Sequence, residues 1–194
     1  MPQQKLIVIS APSGSGKTTI ARAILLRHPD LEFSVSATTR AKRPNELDGR
    51  DYFFLALQEF KEKVAAGLLV EWEEIYGNYY GTLKSEIDRT LTSGKSMLFD
   101  IDVKGALSIK RQYRSETVLI FVKPPSMEIL VERLKNRQTE NPETIRTRLE
   151  RVAMELEAGK QFDATIVNDR LEQAIDEVDA IVCRYLGVPA AKQV

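Results

Sequence analysis

The chain has 194 residues, 43% hydrophobic and 29% charged, which is enough apolar material for one well-filled core and points to a single domain. Lys plus Arg and Asp plus Glu each number 28, so the net charge is zero and the basic footprint of a general nucleic-acid binder is missing. One cysteine, Cys183, excludes an intrachain disulfide, and one histidine, His28, excludes a multi-histidine metal site.

Leu6–Ile9 is a short β-branched run closed by a Gly-rich turn and predicts a buried strand. The residues before it leave no room for a signal peptide, no run approaches membrane-spanning length, and a cytoplasmic protein is expected. Thr18 to about Arg27 carries helical spacing and ends at His28-Pro29, where the histidine reads as a surface residue that leaves none for a triad. A strand over Leu31–Ala37 follows, then a polar loop to Asp51, a strand over Tyr52–Leu55, and a helix with Phe60 and Val64. Next come a strand over Leu68–Ile75, a helix from about Leu83 to Ser93, a strand over Ser96–Ile101 and a helix through Ala106 and Ile109. Val118–Val122 is the strongest strand signal, ended by Pro124-Pro125. Two helical segments, around Ile129–Arg137 and from Pro142 to about Ala158, precede a strand over Ala164–Val167 and a helix over Leu171–Leu186. Cys183 falls on an apolar face of that last helix and reads as a buried structural thiol. Alternating strands and helices predict an α/β fold: a mainly parallel sheet flanked by helices, of the kind found in P-loop nucleotide-binding proteins. Two stretches, 35–81 and 126–158, break the alternation and read as insertions into a core of 1–34, 82–125 and 159–194.

Ala11-Pro12-Ser13-Gly14-Ser15-Gly16-Lys17-Thr18 lies between the first strand and the first helix. Gly14 and Gly16 let backbone N–H groups turn inward around phosphate oxygens at a helix N-terminus, where anions are favoured. Lys17 is placed to bridge the β- and γ-phosphates, and the Thr18 hydroxyl to ligate Mg²⁺. Ser13, Gly14, Ser15, Gly16, Lys17, Thr18 and Thr19 are therefore the expected ATP-binding residues. Ala11 replaces the usual first glycine, a change of one methyl group. The pattern implies a nucleoside triphosphate but says nothing of the acceptor.

Downstream stand Ser36-Ala37-Thr38-Thr39-Arg40-Ala41-Lys42-Arg43-Pro44, Gly49-Arg50-Asp51-Tyr52, Glu71-Trp72, Gly77-Asn78-Tyr79-Tyr80-Gly81-Thr82, Asp100-Ile101-Asp102 and Ile166-Val167-Asn168-Asp169. In this order behind this P-loop, the ensemble resembles the guanylate kinase (GMP kinase) family over essentially the whole chain. The resemblance implies phosphorylation of GMP by ATP in purine nucleotide metabolism, with Mg²⁺ as cofactor and dGMP as a second acceptor. It makes 35–81 the GMP-binding insertion and 126–158 a helical lid. Arg40, Arg43, Tyr52 and Tyr80 would surround the GMP phosphate, supplying fixed charge and hydroxyl donors. Guanine offers N1–H and N2–H₂ donors beside an O6 acceptor, so its pocket wants carboxylates and a hydroxyl. By resemblance these are Glu71 and Asp102 with Ser36, and Thr82 is a second hydroxyl candidate. Asp100 is the expected acidic partner of Mg²⁺ together with Thr18, although one of the two aspartates could instead cap the following helix.

The same resemblance assigns Arg137 and Arg148 in the lid to transition-state charge, alongside Lys17 and Arg40, with Arg133 a further candidate and Arg146 and Arg151 nearby. Surface pairing with Glu140, Glu143 or Glu150 is the plainer reading of the lid arginines. Asn168 would contact the adenine of ATP. Gln138 and Lys104 stand where the family often has glycine and glutamine. Two rivals remain at this point: a noncatalytic guanylate-kinase-like module binding phosphorylated partners, and a P-loop kinase for a phosphorylated sugar. The first sits poorly with Lys17, Thr18 and the lid arginines, the second with Glu71 and Asp102. Nothing in the sequence decides between a monomer and a homo-oligomer.

Overall fold

An uninterrupted run of β-branched and aliphatic residues suits a strand covered on both faces, and every residue of Leu6–Ser10 is buried. The computed structural model describes residues 4–75, 77–135 and 142–189, and their side chains except at 134–135 and 142–150. In chain order the elements are β1 (Leu6–Ser10), α1 (Lys17–Arg27), β2 (Leu31–Phe33), β3 (Ala37–Thr38), β4 (Phe53–Phe54), α2 (Leu57–Ala65), β5 (Leu69–Ile75) and β6 (Asn78–Leu83). They continue with α3 (Lys84–Thr92), β7 (Ser96–Asp100), α4 (Val103–Gln112), β8 (Thr117–Lys123), α5 (Met127–Lys135), α6 (Pro142–Gly159), β9 (Ala164–Val167) and α7 (Leu171–Leu186).

Five strands form a parallel sheet in the order β2-β7-β1-β8-β9. Side chains alternate along a strand, and β1 shows the consequence. Ile7 and Ile9 pack with Ile20 and Ile24 of α1 and Val178 and Val182 of α7. Leu6 and Val8 point the other way, onto Ile87 of α3 and Ala106 and Ile109 of α4. The parallel sheet covered on both faces is the one expected from the alternation. The carboxyl ends of its strands gather the loops after β1 and β7, because Ile9 lies beside Asp100 in the register.

A second, mixed sheet runs β4-β3-β6-β5, with α2 laid against it through Phe60, which packs with Ala37 and Leu69. The expected strand Leu31–Ala37 is two strands in two sheets. The Ser34 amide makes a last bond to Leu98 O, 2.8 Å, and Ala37 then pairs with Phe53 and Gly81 in the other sheet. β6 has no counterpart in the sequence reading, which took Gly77–Thr82 only as a motif. Its pairing with β5 brings Trp72 against Gly81, where a Cβ would stand 2.7 Å from Glu71 O. Glycine lets the two backbones approach.

His28 is not a surface residue. Its Nε2 lies 2.6 Å from Asp179 Oδ1, with both side chains largely buried, and 3.9 Å from Cys183 Sγ. Asp179 also faces Arg27 at 3.4 Å, so the end of α1 is tied to α7. Cys183 is buried, as expected. Among the described residues, no helix is long and apolar enough to cross a membrane.

Candidate active site

After β1 the chain turns back on itself, with the Ser15 amide donating to Pro12 O at 3.1 Å. It enters α1 through Gly16, whose φ of 87° lies in the left-handed region that a side chain makes costly. Gly16 is also where Asn168 needs room. A Cβ there would collide with the Asn168 carboxamide, whose Nδ2 donates to Ser15 O at 2.8 Å. Asn168 is buried behind the loop, and its own carbonyl accepts from Arg133 Nη1 at 3.1 Å.

At the mouth of the loop Lys17 Nζ donates to Ile101 O at 2.9 Å and meets Asp100 Oδ1 at 2.8 Å. The Thr18 hydroxyl donates to Asp100 Oδ2 at 2.7 Å. Lys17, Thr18 and Asp100 are thus brought together. A hydroxyl and a carboxylate are hard oxygen donors of the kind Mg²⁺ takes beside phosphate, so the residues fit that ion. Ser13, Gly14, Ser15 and Thr19 line the same cavity, about 320 Å³, with Asp102, Arg151 and Glu155 on its other side.

The second group rises from β5, β6 and the start of α4. The register slips between Leu69 and Glu71, so Glu71 faces Thr82 instead of Gly81. Such a bulge re-aims a side chain, and here the Thr82 hydroxyl donates to Glu71 Oε1 at 2.6 Å. Gly105 leaves space for the other oxygen, since a Cβ there would stand 2.9 Å from Glu71 Oε2. Asp102 is the N-cap of α4, its Oδ1 accepting from the Gly105 amide at 2.7 Å. The capping alternative is therefore realised at Asp102, which leaves Asp100 to the P-loop. Glu71, Glu73, Asp102, Lys104, Gly105 and Ser108 line a pocket of about 260 Å³. Lys104 is exposed but belongs to this wall.

Enclosure and like charges set the protonation of this group. Burial pushes Glu71 up to about 7, the charges of Asp102 and Glu73 add to it, and the Thr82 hydrogen bond opposes. Burial also pushes Glu73 up to about 7, together with its hydrogen bond to Asp102. At Asp102 burial works upward, but Glu73, the Gly105 amide and the charges of Arg151 and Lys17 outweigh it and hold the carboxyl below its ordinary value.

A third cluster lies on the second sheet. Arg40 forks onto Glu46, with Nη2 to Oε1 2.7 Å and Nη1 to Oε2 3.0 Å, and sits 5.3 Å above the Tyr52 ring. Tyr52 packs edge-on against Tyr80, centroids 6.1 Å apart. Arg43 is exposed, its backbone amide donating to Glu46 Oε2 at 2.8 Å. Ser36 is half-buried just before β3, one step beyond the Ala37–Gly81 pair. Arg137 and the Arg148 side chain lie outside the described residues.

Four participants went unassigned in the sequence. Glu73 shares a face of β5 with Glu71, two residues earlier, a period that could have marked it. Arg151 and Glu155 are four apart on α6, but the meeting of Arg151 with β5 is tertiary: its Nη2 lies 2.9 Å from Glu73 Oε2. Glu46 carries no signal beyond its proximity to Arg40 and Arg43. A larger cavity of about 610 Å³ opens at the far end of α1, around Arg27, His28 and Leu186, away from every P-loop residue.

The chain is similar in sequence and fold to known proteins. The guanylate kinase family model matches residues 3–185. The chain is 48% identical over 186 residues to the guanylate kinase of Chlorobium chlorochromatii (strain CaD3), covering 96% of this chain and 98% of the relative. It is 46% identical over 188 residues to that of Salinibacter ruber (strain DSM 13855 / M31), covering 96% and 100%. The crystal structure of guanylate kinase from Anaplasma phagocytophilum superimposes with a TM-score of 0.75 at 30% identity, covering 96% of this chain and 88% of that one. With the P-loop, the paired carboxylates and the second sheet all in place, the chain belongs to the guanylate kinase family.

Proposed function

We infer that the chain transfers the γ-phosphoryl group of ATP to GMP, giving ADP and GDP. The observation that carries this reading is the position of Asp102. It borders both the P-loop cavity and the pocket of Glu71 and Thr82, so a donor phosphate chain and an acceptor base can meet at one carboxylate.

The loop 13–19 would hold the ATP phosphates, with Lys17 on the transferred group. Thr18 and Asp100 would hold Mg²⁺, which when bound neutralises charge on the phosphates. Glu71 and Asp102 accept the guanine N–H donors; Thr82 orients Glu71, and Ser36 supplies a hydroxyl toward O6. Adenine presents an N1 acceptor where these carboxylates need a donor, and leaving buried acceptors unpaired rejects it. Arg40, Arg43, Tyr52 and Tyr80 take the acceptor phosphate, which competes with Glu46 for the Arg40 fork. The attacking phosphate oxygen is ionised near neutral pH, its second pKa being about 6, so no general base is required. Arg137 and Arg148, with Arg133 behind Asn168, are assigned to closing 126–158 over the substrates and neutralising charge in transfer. Asn168 holds the P-loop from behind and is assigned to the ATP side.

dGMP carries the same base and phosphate and is a proposed second acceptor. The proposed setting is the cytoplasm. Radiolabel in the γ-position of ATP should appear in GDP when GMP is the acceptor, and Lys17→Ala should abolish it. Label released as inorganic phosphate with none in GDP would overturn the assignment.

A further inference from the structure

Three carboxylates from three elements converge on one guanidinium. Arg151 of α6 places Nη2 2.9 Å from Glu73 Oε2 and 3.3 Å from Asp102 Oδ2, and its Nε donates to Glu155 Oε1 at 2.9 Å. Glu73 is 78 residues away in the chain and Asp102 49, so these contacts come from the fold and not from helix spacing. The side chains are 34% exposed at Arg151, 21% at Glu73, 19% at Asp102 and 7% at Glu155. A cluster this enclosed is not a solvated surface pair, and removing the guanidinium leaves carboxylates facing one another.

The arrangement bears on acceptor recognition through the two oxygens of Asp102. Oδ1 is anchored by the Gly105 amide. Arg151 holds the carboxylate from its other oxygen, Oδ2, beside the hydrogen bond that Glu73 makes to Asp102. An ionised carboxylate has about four acceptor sites, so both oxygens keep capacity for a base. Glu73 holds the guanidinium from β5, next to Glu71 on the same face. We propose that Arg151 is a positioning residue for acceptor recognition: from α6 it fixes Asp102 and Glu73 at the border between the two cavities, setting the base-reading carboxylate in place before GMP arrives. This deepens the reading given above and rests on it.

The test is steady-state kinetics with ATP and GMP, plus GMP titration calorimetry, on wild type, Arg151→Ala, Arg151→Lys, Glu73→Gln and the Glu73→Gln/Arg151→Ala double variant. Arg151→Ala is expected to raise the KM and Kd for GMP at least tenfold while the KM for ATP stays within about threefold. Lysine should recover part of the loss. Glu73→Gln should cost less, and the double variant no more than Arg151→Ala alone. A purely structural role would lower the melting temperature and leave the split between the two KM values unmoved. An unchanged or lower KM for GMP in folded Arg151→Ala overturns the proposal, the lower value meaning that Arg151 competes with the base. Should Arg151→Ala not fold, unchanged GMP binding in both Arg151→Lys and Glu73→Gln overturns it equally. Absence of GMP turnover in wild type would sink the underlying function; full wild-type turnover with indifferent Arg151 variants would sink this proposal alone.

Discussion

Asn168 occupies the space that a side chain at Gly16 would fill, and its carboxamide donates to the carbonyl of Ser15. The phosphate-binding loop is thereby held from behind by the residue that follows β9, at the far edge of the sheet. Gly16→Ala therefore meets two obstacles, a left-handed φ costing roughly 1–2 kcal/mol and the Asn168 amide. The variant should lose the thermal stabilisation that ATP gives the wild type. Undiminished stabilisation by ATP would mean that the loop tolerates displacement of Asn168.

Burial pushes Glu71 up to about 7, whereas its proposed role as acceptor of the guanine N–H groups needs it ionised. Protonation then competes with GMP. The KM for GMP should rise about fourfold as pH falls from 8 to 6.5, following one proton with a midpoint at about 7. Glu71→Gln should bind GMP weakly and show no such step beyond the titration of the GMP phosphate itself. Identical pH profiles for the two proteins would contradict this assignment.

The same group governs stability with a definite sign. Its folded pKa is raised from 4.5 to about 7, so its contribution is fully present below about 4.5 and is lost as pH rises through about 7. Urea unfolding should show wild type losing about 2–3 kcal/mol relative to Glu71→Gln between pH 5 and pH 8. A constant difference between the two proteins would place Glu71 in solvent.

Gly105 separates binding from folding. Alanine is the better helix former, by about 1 kcal/mol, and the nearest atoms a methyl group there would meet belong to the Glu71 side chain and not to backbone. Gly105→Ala should unfold at or above the wild-type midpoint and still raise the KM for GMP several-fold, because the carboxylate must move. Loss of stability without loss of GMP affinity would be the contrary result.

The parts of the site that a sequence displays are those built from neighbours. The P-loop is contiguous from 11 to 18, and its glycines, lysine and threonine declare their chemistry where they stand. Glu71, Thr82 and Asp102 were legible one at a time, but the bulge that turns Glu71 onto Thr82 is a property of strand pairing. β6 escaped notice because Gly77 and Gly81 look like turn residues; only the close approach to β5 shows why a strand should contain one. The stretch Leu31–Ala37 has one continuous β character and is divided by which sheet each end can join. His28 looked exposed because Asp179, its partner, is 151 residues away. The contact of Arg151 with Glu73 was hidden for the same reason, 78 residues of separation.

The central claim is transfer to GMP read through its base. The most direct measurement is ADP release from Mg·ATP with GMP, AMP, CMP and UMP offered singly at equal concentration, with Lys17→Ala as the control. The account predicts turnover with GMP at least a hundredfold above the other three, and none in the control. Comparable or faster turnover with AMP would contradict the roles given to Glu71 and Asp102, and no turnover on any acceptor would contradict the kinase itself.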